Sequence, residues 1–166
     1  MTVFETERLT LRELTPDDLD DLATLYADPV VMHFWPSPYT RPQSEANLQR
    51  LIRMYDEHGY GLWATIRKAD GQFLGRCGLL PYTLDGAPEI ELGWMLGKEH
   101  WGFGYATEAS KAGMEFAFRN LNAPRVIALI RPENEPSIRV ALRLGMRPWS
   151  DTEHAGLPHR VYLAER

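Results

Sequence analysis

Glu91-Leu92-Gly93-Trp94-Met95-Leu96-Gly97-Lys98-Glu99-His100-Trp101-Gly102-Phe103-Gly104-Tyr105-Ala106-Thr107-Glu108-Ala109 is the stretch whose pattern decides how this chain folds. Up to Leu96 the residues alternate. Ile90, Leu92, Trp94 and Leu96 share one side, and Glu89, Glu91, Gly93 and Met95 share the other, which is the period of a strand. From Gly104 to Asn120 the period becomes helical. Tyr105, Ala109, Ala112, Gly113 and Phe116 fall on one side, with Lys111, Glu115 and Arg119 opposite. Between them lies a short loop containing Gly102 and Gly104. Free N–H groups at a helix start attract anions, and glycine lets a phosphate oxygen approach the main chain with no Cβ in the way. The loop therefore fits a pyrophosphate cradle, although a plain strand-to-helix turn would leave the same pattern. Two other phosphate motifs are excluded. No Gly-x-x-x-x-Gly-Lys-Ser/Thr string occurs, and the third glycine of a dinucleotide fingerprint is replaced by Thr107.

The flanking elements follow from the same rules. Leu9, Leu11 and Leu14 predict a strand over Arg8–Leu14. Thr15-Pro16-Asp17-Asp18 starts a helix carrying Leu19, Leu22, Ala23 and Tyr26, which Asp28-Pro29 ends. His33–Tyr39 is an aromatic loop stiffened by Pro36 and Pro38. Thr40-Arg41-Pro42-Gln43 caps a second helix with Leu48, Leu51, Ile52 and Tyr55, closed by Gly59 and Gly61. Strands are expected over Leu62–Lys68 and Phe73–Pro81, joined at Ala69-Asp70-Gly71. The turn Asp85-Gly86 leads to Glu89–Leu96. After the long helix come a buried strand, Arg125–Arg131, and a helix, Asn134–Leu144, with Ile138, Ala141 and Leu142 inward and Gly145 at its end. Weaker strands follow near Arg147–Glu153 and His159–Ala164. The order β-α-α-β-β-β-α-β-α-β-β predicts one α/β domain over residues 1–166, a mixed sheet with helices packed on it.

A chain of 166 residues with 44 % hydrophobic and 25 % charged residues can bury a core of its own. One cysteine, Cys77, excludes an internal disulfide and a cysteine cluster for zinc and fits a reducing cytoplasm. A mid-strand position makes it a structural residue. The histidines have no ligand-like spacing, so no metal is expected. The net charge of -5 argues against direct nucleic-acid binding. The longest apolar run, Val126–Ile130, is far short of the ~20 residues of a membrane span. The charge is uneven: residues 119–147 hold six arginines against Glu133 and Glu135, enough to meet an anionic ligand locally or simply to be solvated.

Trp101-x-x-Gly104-x-Ala106 resembles the acetyl-CoA signature of the GNAT N-acetyltransferases, whose usual form is Gln/Arg-x-x-Gly-x-Gly/Ala. Trp101 departs from that form at a position supplying mainly backbone. The wider string Trp101–Ala109, the segment Asn134-Glu135-Pro136-Ser137-Ile138-Arg139-Val140 with Leu144-Gly145-Met146, and the opening Thr6-Glu7-Arg8-Leu9-Thr10-Leu11-Arg12 resemble the subgroup that acetylates ribosomal-protein N-termini. The resemblance implies a mostly antiparallel sheet splayed into a V between Glu89–Leu96 and Arg125–Arg131. It places acetyl-CoA there as acyl donor. Backbone groups of Trp94, Met95 and Leu96 would hold the pantetheine arm. Amides of Trp101, Gly102, Phe103, Gly104, Tyr105, Ala106 and Thr107 would form the pyrophosphate site. Gly93 fits a splaying bulge or a packing glycine. Asn134 either caps its helix or also reaches the cofactor, and Arg139 either meets phosphate or is solvated.

The implied reaction is direct attack of an amine on the thioester. An α-amine with a pKa of ~8 needs little help near neutrality, whereas a lysine at ~10.4 needs more. Glu91 is the first candidate base, through a water, with Glu89 as backup. A backbone N–H near Met95 is the expected oxyanion donor. Ser137 is the resemblance-based partner of the leaving thiolate, with Tyr162 as the alternative. The acceptor is a peptide N-terminus or a small amine or antibiotic. A catalytically weak acyl-CoA sensor, and a protein-interaction domain binding no CoA, are the competing classes. A homodimer is left open. Phe34 and Trp35 either wall the acceptor site or plug the core.

Overall fold

Expected strands and helices form in the expected order, with one strand added at the start. The structure, a computed structural model, describes residues 1–166. Its strands are β1 (Thr2–Glu5), β2 (Leu9–Arg12), β3 (Leu62–Arg67), β4 (Phe73–Leu84), β5 (Ala87–Leu96), β6 (Arg125–Ile130), β7 (Arg147–His154) and β8 (Leu157–Glu165). Its helices are α1 (Leu19–Ala27), α2 (Arg41–His58), α3 (Tyr105–Asn120) and α4 (Glu135–Arg143). Strand β1 carries no strand signal in the sequence because it is four residues long and its apolar pair Val3-Phe4 does not alternate. Phe4 anchors it, edge-on to Trp63 at 5.1 Å between ring centroids. Thr15-Pro16 opens only a turn of 3-10 helix, Pro16–Asp18, ahead of α1. There Asp18, buried, takes both terminal nitrogens of Arg12 at 2.7 and 2.9 Å. Thr40 and Gln43 form the reciprocal cap that starts α2, and Gly59, at φ +74°, ends it.

The sheet runs β1-β2-β3-β4-β5-β6-β8-β7. Every pairing is antiparallel except β5 with β6, and those two meet in register only at Glu91 opposite Ile127. Beyond that point the parallel strands separate, and the sheet forks. The fork does not come from a bulge at Gly93. The β4–β5 ladder is unbroken from Gly75–Leu96 to Leu84–Ala87, with Gly93 directly opposite Gly78. Nor does close packing force a glycine at this position, since a Cβ there would meet only Leu62 Cδ2 at 3.7 Å and Leu80 Cδ1 at 4.0 Å, both ordinary contacts.

Apolar alternation on β5 feeds both faces of the sheet. Leu92 and Leu96, with Ile90 and Trp94, pack under α3 alongside Trp63, Leu79 and Ala109. Met95 points the other way, into the core under α1 and α2 with Leu22, Tyr26 and Leu51. A third cluster joins β6, β8 and α4 through Ala128, Ile130, Ala141, Met146 and Tyr162. Trp94 contacts the first and third clusters, across the opening fork. Helix α3 lies close because Gly113 faces the sheet, where a Cβ would meet Leu92 Cδ1 at 3.3 Å. Its buried face is wider than the sequence stripe and includes Ser110 and Ala117. On α4 the inward side is Val140 and Ala141. Leu142, expected inward, is 53 % exposed, because α4 turns only a narrow edge to the third cluster. No helix is long and apolar enough to cross a membrane.

Candidate active site

Where β5 and β6 part, the surface sinks into a cleft with a cavity volume of about 460 Å³. Glu91, Gly93 and Trp94 line it from β5, and Ala128, Leu129 and Ile130 from β6. Asn134 and Ser137 line it from the start of α4, and Phe34, Trp35 and Tyr39 from the aromatic loop. Both candidate catalytic residues, Glu91 and Ser137, therefore face one cavity, although one sits on a strand and the other in the first turn of a distant helix.

Backbone parity on β5 decides which peptide groups the fork exposes. The Gly97 N–H donates to the Leu74 carbonyl on β4 at 2.9 Å. Counting back by twos, Met95 and Gly93 also direct their backbone groups to β4. A Cβ on Gly75 would accordingly meet the Met95 carbonyl oxygen. Trp94 and Leu96 point the other way, toward the β6 side. The Leu96 carbonyl accepts the Trp101 indole N–H at 2.9 Å. Along this edge the groups free to take up an extended ligand are the N–H and carbonyl of Trp94 and the N–H of Leu96. The Met95 N–H itself is turned into the sheet, so an oxyanion donor near Met95 is narrowed to the N–H of Trp94 or Leu96.

The loop after β5 is built as a cradle. Gly102 and Gly104 have φ of +82° and +81°, the left-handed region that suits glycine. A Cβ on Gly102 would meet nothing within 4 Å. Gly104 is the N-cap of α3 and offers no side chain, so the first-turn N–H groups of Tyr105, Ala106 and Thr107 are left for an outside acceptor. Trp101 and Phe103 are 47 % and 60 % exposed beside it. Lys98 does not add free charge here, being paired with Asp28 at 2.9 Å.

One set of contacts at this loop has no signal in the sequence. Glu108, in the first turn of α3, accepts from the Thr6 hydroxyl at 2.6 Å, the Arg8 N–H at 2.9 Å and Arg8 Nε at 2.7 Å. Arg8 Nη1 also donates to the Phe103 carbonyl at 2.9 Å, and its guanidinium lies 4.5 Å from the Tyr105 ring centroid. Burial alone would raise the Glu108 carboxyl, but the Thr6 and Arg8 hydrogen bonds hold it below its ordinary value. The opening Thr6-Glu7-Arg8 thus fixes the start of α3 and the glycine turn before it. The motif is recognisable, but nothing in the sequence pairs it with a residue about a hundred positions on.

The two glutamates of β5 differ sharply. Glu89 is buried and engaged with Arg125, which donates from Nε at 3.0 Å and also from Nη2, so it is no backup base. Glu91 has no ion-pair partner. Burial pushes its carboxyl up to about 7, against a smaller opposing pull from the Arg76 charge. A carboxyl poised there exchanges protons readily at neutral pH.

The remaining candidates separate as cleanly. Asn134 is a cap, its Oδ1 accepting the Ser137 N–H at 3.2 Å, and it also lines the cleft. Tyr162 is buried in the third cluster and is not part of the cleft wall. Arg139 is 56 % exposed on α4 and pairs with Glu135 at 3.6 Å, away from the cavity lining. Of the other arginines in the basic segment, Arg125 and Arg147 are likewise in ion pairs, whereas Arg131 lines the cleft and meets only the exposed Glu133 at 3.3 Å among carboxylates. Cys77 is fully buried beside Ser110, and burial raises its thiol to about 12, which suits a structural residue. No group of His, Cys, Asp and Glu is arranged to hold a metal ion. The cleft also contains Arg50, Arg76, His154 and His159, which no sequence signal singles out, because they come from α2, β4 and the β7–β8 hairpin and share no motif.

Residues 8–147 match the family model described as an acetyltransferase (GNAT) domain. An uncharacterized N-acetyltransferase, p20, of Bacillus licheniformis is 32 % identical over 142 residues, covering 84 % of this chain and 79 % of that protein. The acetyltransferase from Agrobacterium tumefaciens strain C58 superposes with a TM-score of 0.84 at 29 % identity, over 98 % of this chain and 94 % of that one. The ribosomal L7/L12 α-N-protein acetyltransferase, solved in complex with coenzyme A, shares the fold with a TM-score of 0.77 at 16 % identity, over 99 % and 98 % of the two chains.

Proposed function

The chain belongs to the acetyltransferase (GNAT) domain family, and we propose that it transfers the acetyl group of acetyl-CoA to the α-amine of a peptide or protein N-terminus by direct attack in a ternary complex. The observation that carries this reading is the convergence of Glu91, Ser137 and the exposed Trp94 edge on one cavity at the sheet fork. The positive-φ glycine loop and open α3 start fit the phosphates of the donor. When bound, the donor supplies an activated acyl carbon.

Glu91, ionised, takes the proton that the attacking amine gives up as the C–N bond forms. The backbone N–H of Trp94 or Leu96 stabilises the oxygen that gains charge. The C–S bond then breaks. Ser137 donates a hydrogen bond to the sulfur, or relays a proton to it from water, since a hydroxyl is a far weaker acid than a thiol of pKa ~8.5. The Ser137 backbone N–H donates to Asn134, and its hydroxyl makes no hydrogen bond within the chain, which leaves it free for that role. A group that acts on the leaving atom is felt in the transition state more than in binding. Ser137→Ala is therefore expected to lower kcat by about 10- to 100-fold with under threefold change in Kd for acetyl-CoA. Steady-state kinetics with calorimetry checks this. Wild-type kcat across pH would hand the role to water.

The aromatic loop supports an acceptor with apolar surface beside its amine. Met32, just before the loop, is buried at 1 % exposure, while Phe34 and Trp35 are half-buried, and all three line the cleft. Trp35 also packs on the core under α1 and α2, so it does both jobs. Trp35→Ala is expected to raise KM for a peptide amine about 5- to 20-fold and to leave KM for acetyl-CoA unchanged. Being half-buried, it should cost less than the ~3–5 kcal/mol of a buried Trp truncation. A melting curve beside the kinetics separates wall from plug, and an unchanged amine KM removes the wall. Thiol-release assays with short peptides, read together with intact peptide mass, test the activity itself.

A further inference from the structure

The protein is acidic, yet its cleft is not. Glu91 is the one carboxylate lining the cavity, against Arg50, Arg76 and Arg131. Such a local inversion of sign within a chain of net charge -5 places a positive field at one site. None of these arginines fixes a helix or strand to its neighbour through a buried carboxylate. Arg76 donates from Nε to the Tyr26 hydroxyl at 2.7 Å and lies 5.5 Å from that ring's centroid, which orients its guanidinium with no acidic partner. Arg50 has the Met54 sulfur at 3.7 Å as its side-chain hydrogen-bond partner, and no carboxylate. Arg131, its side chain 19 % exposed, meets the Phe34 carbonyl at 3.4 Å and the exposed Glu133 at 3.3 Å, and its buried Nε donor has no partner at all.

These charges are not placed for the donor's pyrophosphate. The glycine loop 102–104 is absent from the lining of this cavity and opens α3, the helix that packs one face of the sheet through Leu92 and Leu96. Arg76 sits opposite Met95 in the β4–β5 ladder, on the other face, against α1. Between Arg76 and Glu91 on that face the paired glycines, Gly78 and Gly93, put no side chain in the way. A ligand with its amine at Glu91 can thus run toward Arg76 and Arg50 along a strip edged by Leu62 and Leu80.

We propose that the acceptor carries negative charge next to its amine, and that it is a peptide N-terminus followed by acidic residues, read by Arg76, Arg50 and Arg131. This rests on the peptide-acetyltransferase reading above. Carboxylates suit guanidinium forks geometrically, and such bonds are stronger than neutral ones. A cationic acceptor is repelled by the same field.

The test uses the full chain, acetyl-CoA and three peptides of equal length that share an N-terminal Ser and differ only at positions two to four, acidic, neutral or basic. The expected kcat/KM falls about 10-fold or more from acidic to neutral and again to basic, and the spread narrows in high salt. Arg76→Gln should raise KM for the acidic peptide about 10-fold and leave KM for acetyl-CoA and for the neutral peptide unchanged, with Arg76→Lys restoring part of the loss. Equal kcat/KM for all three peptides, with acetyl transfer still running, overturns the charge inference alone. An enzyme that acetylates small amines but none of the peptides overturns the peptide reading, and this inference with it.

Discussion

Glu91→Gln is expected to lower kcat for peptide acetylation by about 10²–10⁴-fold, the usual span for losing a general base, with acetyl-CoA affinity nearly unchanged. The amide keeps the size of the carboxyl and removes its ability to take a proton. The wild-type pH profile carries the same signature. With its carboxyl held up to about 7 by burial, Glu91 is protonated and idle below that pH, so kcat/KM should rise as pH passes through about 7. The variant should lose that limb and keep only one near ~8, from the acceptor amine itself. Stability moves in the opposite direction. A carboxyl whose folded value exceeds the ordinary 4.5 holds its proton more tightly when folded, so stability falls as pH rises from about 4.5 to about 7. At pH 8 the uncharged Gln variant should therefore melt no lower than wild type. A full-rate variant would show that the amine proton leaves by another route.

Gly104→Val is expected to raise Kd for acetyl-CoA at least 100-fold while the protein stays folded. A side chain at φ +81° costs about 1–2 kcal/mol, and a β-branched one more. That should lower Tm by a few degrees in a chain of this size. The fold itself has room, since a Cβ at Gly104 meets only Arg8 Nη2 at 3.5 Å. The larger loss falls on the phosphate side, where the turn no longer presents the Tyr105, Ala106 and Thr107 N–H groups. Gly102→Ala makes the companion variant, because its Cβ would point into open space. It should weaken binding with even less effect on melting. Calorimetry on both folded variants measures the effect, and unchanged affinity in both would remove the cradle.

Much of this is legible in the sequence because it is local. The period of Glu89–Leu96, the glycines before α3 and the caps at Thr40 and Asn134 all express chemistry within a few residues. The motif resemblance then supplies what local chemistry does not, the splay of β5 from β6. What stays hidden depends on distant partners. Glu89 and Glu91 look alike on the strand, and only Arg125, thirty-odd positions away, distinguishes the paired carboxylate from the free one. Leu142 looks inward on a helical wheel, but how little of α4 touches the sheet is a tertiary fact. The arginines of the cleft come from elements with no shared pattern, so only the assembled walls show that their charge converges.

The most direct measurement is the mass of a short Ser-initiated peptide after incubation with this protein and acetyl-CoA, with fragmentation to locate the change. Acetyl transfer at the β5–β6 fork predicts one added acetyl group on the N-terminal amine, matched by one free thiol, with wild-type protein and not with Glu91→Gln. Tight acetyl-CoA binding with no acetyl group gained by any peptide or small amine would contradict it and leave a binding module in place of an enzyme.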